Sequence, residues 1–350
     1  MTGAALYADK EGNVVVQRDR RLPTPRDGEI LIETLFSGVN PADLKVVRYL
    51  GYREVFLGSD FCGRVLDSPG LADSSIRVGD IVAGVNIAPG PGSRDYGSHK
   101  PYISTPKTGL IKVPKGMPIP DAAALTCVVQ TANDALYNQF ELPLPGTTQG
   151  PTEGTMVIWG GGTGVGLSAV QLARASGVSS IIVTASPIRH ALLCELGATE
   201  CFDYKDVDVV QMVKRAIQNT GSSRVWGFET AGPPEAASAL LDALADVRGE
   251  VRFSWVSIPA QRSLDELALG TRDYELVFNV PGGPYVFPAD PAKAERMWKS
   301  IDWVVRNYGN GFRLPVVRVF EGTGEEALGE MEKVAQQGIF GKLVLKHPLQ

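Results

Sequence analysis

The stretch from Met156 to Gly177, MVIWGGGTGVGLSAVQLARASG, decides the fold of the second half of the chain. An apolar run leads into clustered glycines and then into a segment whose apolar residues recur at helical spacing. Glycines in such a strand–turn–helix unit let the backbone approach a diphosphate, and the helix start offers free N–H groups. The stretch therefore predicts a nucleotide-binding turn. A tight turn without a ligand fits the same residues, because Gly160, Thr163 and Gly166 depart from the usual glycine spacing.

Strands and helices alternate beyond this turn. The runs Ile181–Val183, Arg224–Phe228 and Val251–Val256 predict strands, and Arg189–Leu196 predicts a helix. Such alternation is typical of a doubly wound parallel sheet. We assign residues 129–280 to this Rossmann-type domain.

The first 128 residues show a different pattern, with short apolar or alternating runs bounded by turn residues. These runs are Val14–Val16, Glu29–Leu35, Gly63–Leu66 and Asp80–Val85. They predict an irregular β-barrel or sandwich. Residues 281–350 are expected to return to this domain, first as an irregular segment (VPGGPYVFP) and then as two amphipathic helices and a strand. The expected bounds are Lys293–Tyr308, Glu325–Gln337 and Lys342–Lys346.

The residues after the second strand of the Rossmann-type domain indicate the cofactor. An NAD site usually places an acid there to bind the ribose hydroxyls. Here the sequence is IIVTASPIRHALL, and the first acid is Glu195. Ser186 and Arg189 stand where a 2′-phosphate needs a donor and a charge, so the sequence favours NADPH. Arg189 also fits an ordinary solvated position in the first turn of a helix.

Composition excludes several classes of function. The chain has 350 residues and a net charge of −5, which argues against nucleic-acid binding. It contains no run of eighteen apolar residues, and its amino terminus does not resemble a signal peptide, so we expect no membrane association and a cytoplasmic location. Four dispersed cysteines and three histidines lack metal-ligand spacing, so no metal site is expected.

Further strings carry a family resemblance. SGVNPADLK (37–45) and LGSDFCGRV (57–65) resemble the zinc-independent, quinone-reductase-like branch of the medium-chain dehydrogenase/reductase superfamily. Within that branch, the variant glycine turn with Thr163, QTANDALY (130–137) and GIFGKLVLK (338–346) are most similar to fungal trans-acting enoyl reductases that serve polyketide synthases. The resemblance covers nearly the whole chain. It implies a GroES-like β-rich catalytic domain (1–128 and 281–350) and a Rossmann NADPH-binding domain (129–280), within the α/β class.

The same resemblance implies roles for individual residues. Lys45 and Thr131 would position the nicotinamide ribose, and Tyr52, Phe278 and Tyr285 would face an apolar substrate. Lys45 also fits a surface turn, Thr131 a helix cap, and the aromatic residues fit plain core. The cofactor-binding residues would be Val39, Asn40, Pro41, Ala42, Thr163, Gly164, Val165, Gly166, Ser186, Arg189, Tyr204, Ser257, Ile339 and Phe340.

The expected activity is NADPH-dependent reduction of the α,β-double bond in a carrier-bound polyketide thioester. The expected partner is a polyketide synthase, either alone or joined to a peptide synthetase. A free-standing enone or quinone reductase and a non-catalytic NADPH-binding protein remain alternatives. Because Pro281, Pro284 and Pro288 would spoil a pairing strand next to the Rossmann sheet edge, we expect a monomer.

Overall fold

The structure is a computed structural model that describes residues 3–18, 22–68, 75–90, 96–106, 109–256, 264–269, 273–280 and 282–350. The chain forms two compact units. The first comprises Met1–Cys127, Arg272–Pro291 and Pro315–Gln350, and the second comprises Val128–Thr271 and Ala292–Leu314.

Seventeen strands lie within the described residues. They are β1 (Ala5–Ala8), β2 (Val14–Gln17), β3 (Glu29–Val39), β4 (Val55–Phe56), β5 (Asp60–Asp67), β6 (Ile81–Val85), β7 (Tyr102–Pro106), β8 (Leu110–Lys112), β9 (Thr152–Trp159), β10 (Val178–Ala185), β11 (Glu200–Asp203), β12 (Arg224–Glu229), β13 (Glu250–Trp255), β14 (Leu276–Val280), β15 (Gly283–Phe287), β16 (Val317–Phe320) and β17 (Lys342–Lys346).

Eight α-helices accompany these strands in the same part of the chain. They are α1 (Ala42–Tyr49), α2 (Ile119–Asn133), α3 (Gly164–Ala175), α4 (His190–Leu196), α5 (Val209–Thr220), α6 (Pro234–Leu244), α7 (Pro291–Arg306) and α8 (Gly324–Gln337). A π-helical turn, Asp134–Gln139, continues α2, and a 3₁₀ turn, Pro187–Arg189, precedes α4. None of the helices described here is both long and apolar enough to cross a bilayer.

The first unit is built on a sheet with the order β16-β17-β3-β5-β6-β8, and β7 pairs with β3. Its pairs are antiparallel except β16–β17. Alternate residues of the strands face the core, as the period of a half-buried strand requires. Ile30, Ile32, Phe61, Val82 and Ile103 pack together there. A smaller sheet with the order β2-β1-β4 completes the unit.

The second unit contains a five-stranded parallel sheet with the order β11-β10-β9-β12-β13. In chain order this is 3-2-1-4-5, so the direction of winding reverses between β9 and β12. Val157 and Val225 of the sheet pack with Val213 of α5 and Leu240 of α6. Ligands bind at the carboxyl ends of the strands beside such a reversal. The predicted α/β class and parallel sheet are confirmed.

The position of α7 differs from the predicted domain limits. Residues 292–314 belong to the second unit, although we expected 281–350 to lie with the first. Met297, Ile301 and Val304 of α7 are buried. Ser300 Oγ donates to Asn133 Oδ1 over 2.7 Å. These contacts hold the helix to the second unit, and the amphipathic pattern alone does not reveal which partner it covers.

The segment expected to be irregular after residue 280 is a hairpin, so that expectation was wrong. Strands β14 and β15 pair antiparallel, with Asn279 opposite Pro284. The N–H of Asn279 donates to Leu50 O over 3.3 Å and so points away from Pro284. A proline is tolerated at a position whose partner needs no hydrogen bond from it. Pro284 therefore does not spoil this pairing, and Pro281 lies outside the described residues.

Candidate active site

The glycine turn connects β9 to α3 as predicted. Gly160 has a φ of +97°, and its N–H and that of Gly161 donate to Thr184 O over 3.1 and 2.9 Å. A Cβ on Gly166 would lie 2.4 Å from Gly160 O, so only glycine allows the helix start to approach the turn this closely. Thr163 caps α3, and its Oγ1 accepts from Gly166 N over 3.0 Å. The structure therefore places the predicted residues Thr163, Gly164, Val165 and Gly166 in one helix start.

The turn has the shape that a diphosphate requires. A Cβ added to Gly162 would meet no heavy atom within 4 Å, so the backbone here borders open space. The first turn of α3 adds N–H groups without intrahelical acceptors and the positive end of the helix dipole. These residues fit a dinucleotide cofactor.

Residues at the end of β12 stabilise this turn by hydrogen bonds. Strand β12 lies next to β9, where the direction of winding reverses. Thr230 Oγ1 donates to Trp159 O and Gly160 O over 3.0 and 2.8 Å. The carboxylate of fully buried Glu229 accepts from Ala231 N and Gly232 N over 2.6 and 2.7 Å. Sequence reasoning missed both residues. The sequence pattern that could have indicated them is two polar residues, Glu229 and Thr230, at the end of an apolar strand and shortly before Gly232.

The residues predicted for the adenosine end of the cofactor, Ser186 and Arg189 at the 2′-phosphate and Tyr204 beside the adenine or its ribose, follow two neighbouring strands. Ser186 and Arg189 share one turn after β10, where Arg189 N donates to Ser186 O over 2.8 Å. Tyr204 follows β11, is 46% exposed, and has Lys205 Nζ 5.7 Å from its ring centre. Because Ala185 pairs with Asp203 in a parallel register, all three predicted residues lie at the same sheet edge. Ser257 lies outside the described residues.

The predicted segment Val39–Ala42 leads from β3 into α1 and is anchored by a buried polar cluster. Asn40 Nδ2 donates to Asp60 Oδ2 over 2.8 Å. Lys342 Nζ donates to Asn40 Oδ1 and Val39 O over 2.5 and 2.9 Å and lies 3.7 Å from Asp60 Oδ2. Burial raises the pKa of Asp60, and the nearby Lys342 opposes that rise. The side chain of Asn40 is thus held by one anion and one cation.

A second buried chain continues from this segment. Asn40 N donates to Asp43 Oδ2 over 2.7 Å, and His99 Nε2 lies 3.3 Å from the same oxygen. Ser37 Oγ lies 2.8 Å from His99 Nδ1 and 2.7 Å from His347 Nε2. Sequence reasoning missed these residues, because the histidines lack metal-ligand spacing and meet only through the packed sheet.

The hydrogen-bond partners determine which ring nitrogens carry protons in this buried series of residues. A carboxylate only accepts, so His99 donates to Asp43 from Nε2. His347 Nδ1 is buried and has no hydrogen-bond partner among the described residues, so the neutral ring carries its proton on Nε2 and donates it to Ser37 Oγ. Burial, followed by the nearby His99, lowers the pKa of His347 to about 3, in keeping with a neutral ring.

Three more predicted cofactor residues of the first unit, Lys45, Ile339 and Phe340, are connected to the Asn40 segment through α1 or through the β3–β17 pair. Lys45 is half-buried one turn into α1, where its N–H donates to Pro41 O over 3.3 Å. Ile339 and Phe340 are half-buried and precede β17, whose Leu343 pairs with Val39. The β3–β17 pairing therefore brings Ile339 and Phe340 toward the Asn40 segment. In the second unit, Thr131 is buried in α2.

The three predicted substrate residues meet in one aromatic cluster. The rings of Tyr52 and Phe278 lie 6.2 Å apart, and Phe287, which sequence reasoning missed, lies 5.2 Å from Phe278 and 4.8 Å from Tyr285. Tyr52 Oη donates to Ala88 O over 3.1 Å. Tyr52 and Phe278 are buried and Tyr285 is half-buried. Tyr285 is therefore the most accessible of the three.

The acidic, histidine and cysteine side chains do not assemble a metal centre in the described ranges, where no group of three or more could hold an ion. Just before α1 the chain has Asn40, an amide and not one of the thiolate, imidazole or carboxylate ligands of zinc. Here that amide is bonded to Asp60, and the ammonium of Lys342 supplies the local positive charge. These donors do not fit a zinc ion.

A parallel sheet with a glycine turn beside its reversal point, accompanied by a separate β-rich unit, is typical of two-domain proteins that bind dinucleotides. The family described as alcohol dehydrogenase GroES-like domain matches residues 26–115, and that described as zinc-binding dehydrogenase matches 164–261. A zinc-type alcohol dehydrogenase-like protein of Schizosaccharomyces pombe is 30% identical over 78% of both chains. The chain belongs to the medium-chain dehydrogenase/reductase superfamily and is an oxidoreductase, with a fold that implies a nicotinamide cofactor.

Two further similarities span nearly the full length. Trans-enoyl reductase resD of Aspergillus sclerotiorum is 28% identical and covers 98% of this chain and 99% of its own. The crystal structure of CurK enoyl reductase superposes with a TM-score of 0.70 at 19% identity over 98% of each chain. The predicted superfamily and its closeness to fungal enoyl reductases are confirmed, as are the GroES-like and Rossmann-type folds.

Proposed function

We propose that this oxidoreductase is an NADPH-dependent trans-acting enoyl reductase that acts on a carrier-bound α,β-unsaturated thioester. The full-length similarity to a trans-enoyl reductase carries the proposal. Several other similar proteins bear the same kind of name, among them ccsC of Aspergillus clavatus, 35% identical over 57% of this chain and 56% of its own. The expected partner is a polyketide synthase or a hybrid with a peptide synthetase.

NADPH is proposed because of the turn after β10. Ser186 provides a hydroxyl and Arg189 a guanidinium on the same turn, and no carboxylate stands between β10 and Arg189. A guanidinium binds phosphate in a charge-assisted, bidentate manner. A carboxylate here would instead favour the ribose hydroxyls of NADH.

The bound cofactor supplies a hydride for an alkene conjugated to a carbonyl. The chain's own residues must orient the reactants. The Thr163–Gly166 turn would hold the diphosphate, and Lys45 and Thr131 would position the ribose. Val39–Ala42, with Ile339 and Phe340, would line the nicotinamide end. The buried bonds from Lys342 and Asp43 keep that segment in place before the reactants arrive, which lowers the cost of ordering it.

The substrate and assembly state complete the proposal. Tyr285 would contact the apolar part of the substrate, with Tyr52 and Phe278 shaping the wall behind it. Catalysis would need no metal, because the buried cluster here joins the amide of Asn40 to Asp60 and to the ammonium of Lys342. Metal analysis and assays with a chelator test this, and light scattering tests whether the protein is a monomer.

The deciding experiment measures NADPH consumption with 2-butenoyl and 2-methyl-2-butenoyl thioesters of pantetheine, beside a simple quinone. Turnover of the thioesters with an inert quinone supports the proposal. Quinone turnover with inert thioesters instead identifies a free-standing quinone reductase. NADPH binding without turnover of pantetheine thioesters, carrier-bound thioesters or quinones identifies a non-catalytic cofactor-binding protein.

A further inference from the structure

Two cysteine thiols face each other beside the proposed adenosine end of the cofactor site. Cys194 lies on α4 and Cys201 on β11, and their Sγ atoms are 3.9 Å apart. Cys194 is exposed and Cys201 is half-buried. The other two cysteines, Cys62 and Cys127, lie in the first unit.

We propose that Cys194 and Cys201 are a peroxide-reactive thiol pair whose disulfide weakens NADPH binding. The Cys194 sulfur attacks one peroxide oxygen, the O–O bond breaks, and a sulfenic acid and water form. The Cys201 sulfur then attacks the Cys194 sulfur. Hydroxide leaves and departs as water with the Cys201 proton. Two thiols are thus oxidised to one disulfide while one hydrogen peroxide is reduced to two waters.

The surroundings assign the order of the two sulfurs. A peroxide in solvent reaches exposed Cys194 directly. Burial, followed by the neighbouring Cys194, raises the pKa of Cys201 to about 12, so Cys201 keeps its proton until the second step. Its Sγ also lies 3.9 Å from His190 O at the start of α4, which holds the thiol next to its partner.

The two elements joined by this disulfide adjoin the residues proposed for the adenosine end of the cofactor. Helix α4 starts directly after the turn that holds Ser186 and Arg189, and β11 leads directly into Tyr204. A disulfide requires sulfurs about 2.05 Å apart, so its formation ties α4 to β11 by a covalent bond. This bond restrains the two elements that adjoin Arg189 and Tyr204. Its effect on NADPH binding depends on the proposed NADPH site, whereas disulfide formation itself does not.

Peptide mapping tests the disulfide without reference to activity. Trypsin should release HALLCELGATECFDYK, residues 190–205, which contains both cysteines. After peroxide treatment of the full chain, this peptide should lose two hydrogens and resist alkylation, and dithiothreitol should reverse both changes. Cleavage after Glu195 and Glu200 should leave two fragments joined by the disulfide. Oxidation of Cys194 to the sulfinic acid without any cross-link would overturn the proposal.

A fluorescence titration with NADPH tests the consequence. The disulfide form should bind with a Kd raised by about threefold or more, which is at least about half a power of ten in affinity. The C194S, C201S and double variants should bind like reduced wild type with or without peroxide. An unchanged Kd in fully cross-linked protein, or an equal response in the double variant, would overturn the proposal. If reduced wild type fails to bind NADPH, the proposed cofactor fails, and peptide mapping still decides the disulfide.

Discussion

The ammonium of Lys342 donates to the side-chain amide of Asn40 over 2.5 Å, in a buried bond between residues 302 positions apart. Lys342 also lies 3.7 Å from Asp60 Oδ2. One lysine near the carboxyl terminus thus both positions the segment proposed to contact nicotinamide and neutralises a buried carboxylate.

Lys342→Met should destabilise the protein strongly. Removing one partner of a buried ion pair costs about 3–5 kcal/mol, because the other charge stays buried. Burial already raises the pKa of Asp60, and loss of Lys342 raises it further. Because the pKa of Asp60 is raised in the folded state, its contribution to the free energy of unfolding is fully present below the unfolded pKa of about 3.8. That contribution is lost as the pH rises. The loss should therefore be larger at pH 8 than at pH 5, as measured by denaturant unfolding.

Lys346→Met is the matched control. Lys346 ends the same strand and pairs with Glu321 over 2.9 Å, but these side chains are 48% and 63% exposed. Its removal should cost at most about 1 kcal/mol. If Lys342→Met does not fold, Asp60→Asn/Lys342→Met should recover the fold, because neither position of this pair then holds a charge. Equal costs for both lysine variants would contradict the argument.

Arg189→Ala should remove the preference for NADPH. A charge-assisted hydrogen bond contributes about 1.5–3 kcal/mol, so the Kd for NADPH should rise by about tenfold or more. The Kd for NADH should change little, because NADH carries no 2′-phosphate. Fluorescence titration with each cofactor measures both values. Arg215→Ala, an exposed charge on α5, is the control, and a parallel loss of both cofactors in Arg189→Ala would reject a 2′-phosphate contact.

Structure that depends on residues adjacent in the sequence could be predicted, whereas contacts between residues far apart in the sequence could not. The turn at Gly160 and the cap at Thr163 follow from adjacent residues, so the strand–turn–helix unit could be predicted. The bond between Lys342 and Asn40 depends on the register of β17 against β3, which packing determines. The β14–β15 hairpin was missed because proline was assumed to disrupt any strand pairing. Pro284 is tolerated because the N–H of Asn279, the residue opposite it, donates to Leu50 O and not to the paired strand.

His347→Gln should make the free energy of unfolding depend less on pH at acidic pH. Burial lowers the pKa of His347 from 6.5 to about 3, so its neutral form is favoured in the folded state. A depressed pKa gives stability that is present above the unfolded pKa and is lost as pH falls toward the folded pKa. Wild type should lose up to about 1.4 kcal/mol per pH unit from this group between pH 6 and 4.

Glutamine keeps a donor near the position of Nε2 but does not titrate. The variant and wild type should therefore differ by no more than about 1.5 kcal/mol at pH 8, the net value of one hydrogen bond. Their free energies of unfolding should converge, or cross, as the pH falls. A constant difference across this range would mean that His347 titrates alike in the folded and unfolded states.

Gly162→Ala should separate cofactor binding from folding. The added Cβ meets no heavy atom within 4 Å, and Gly162 is outside the left-handed region, so Tm should stay close to that of wild type. A diphosphate resting on this turn would meet the new methyl group. Overpacking costs about 1–3 kcal/mol, so the Kd for NADPH should rise at least about fivefold. Gly329→Ala, at an equally open site in α8, is the control and should leave the Kd unchanged. An unchanged Kd in Gly162→Ala would place the diphosphate elsewhere.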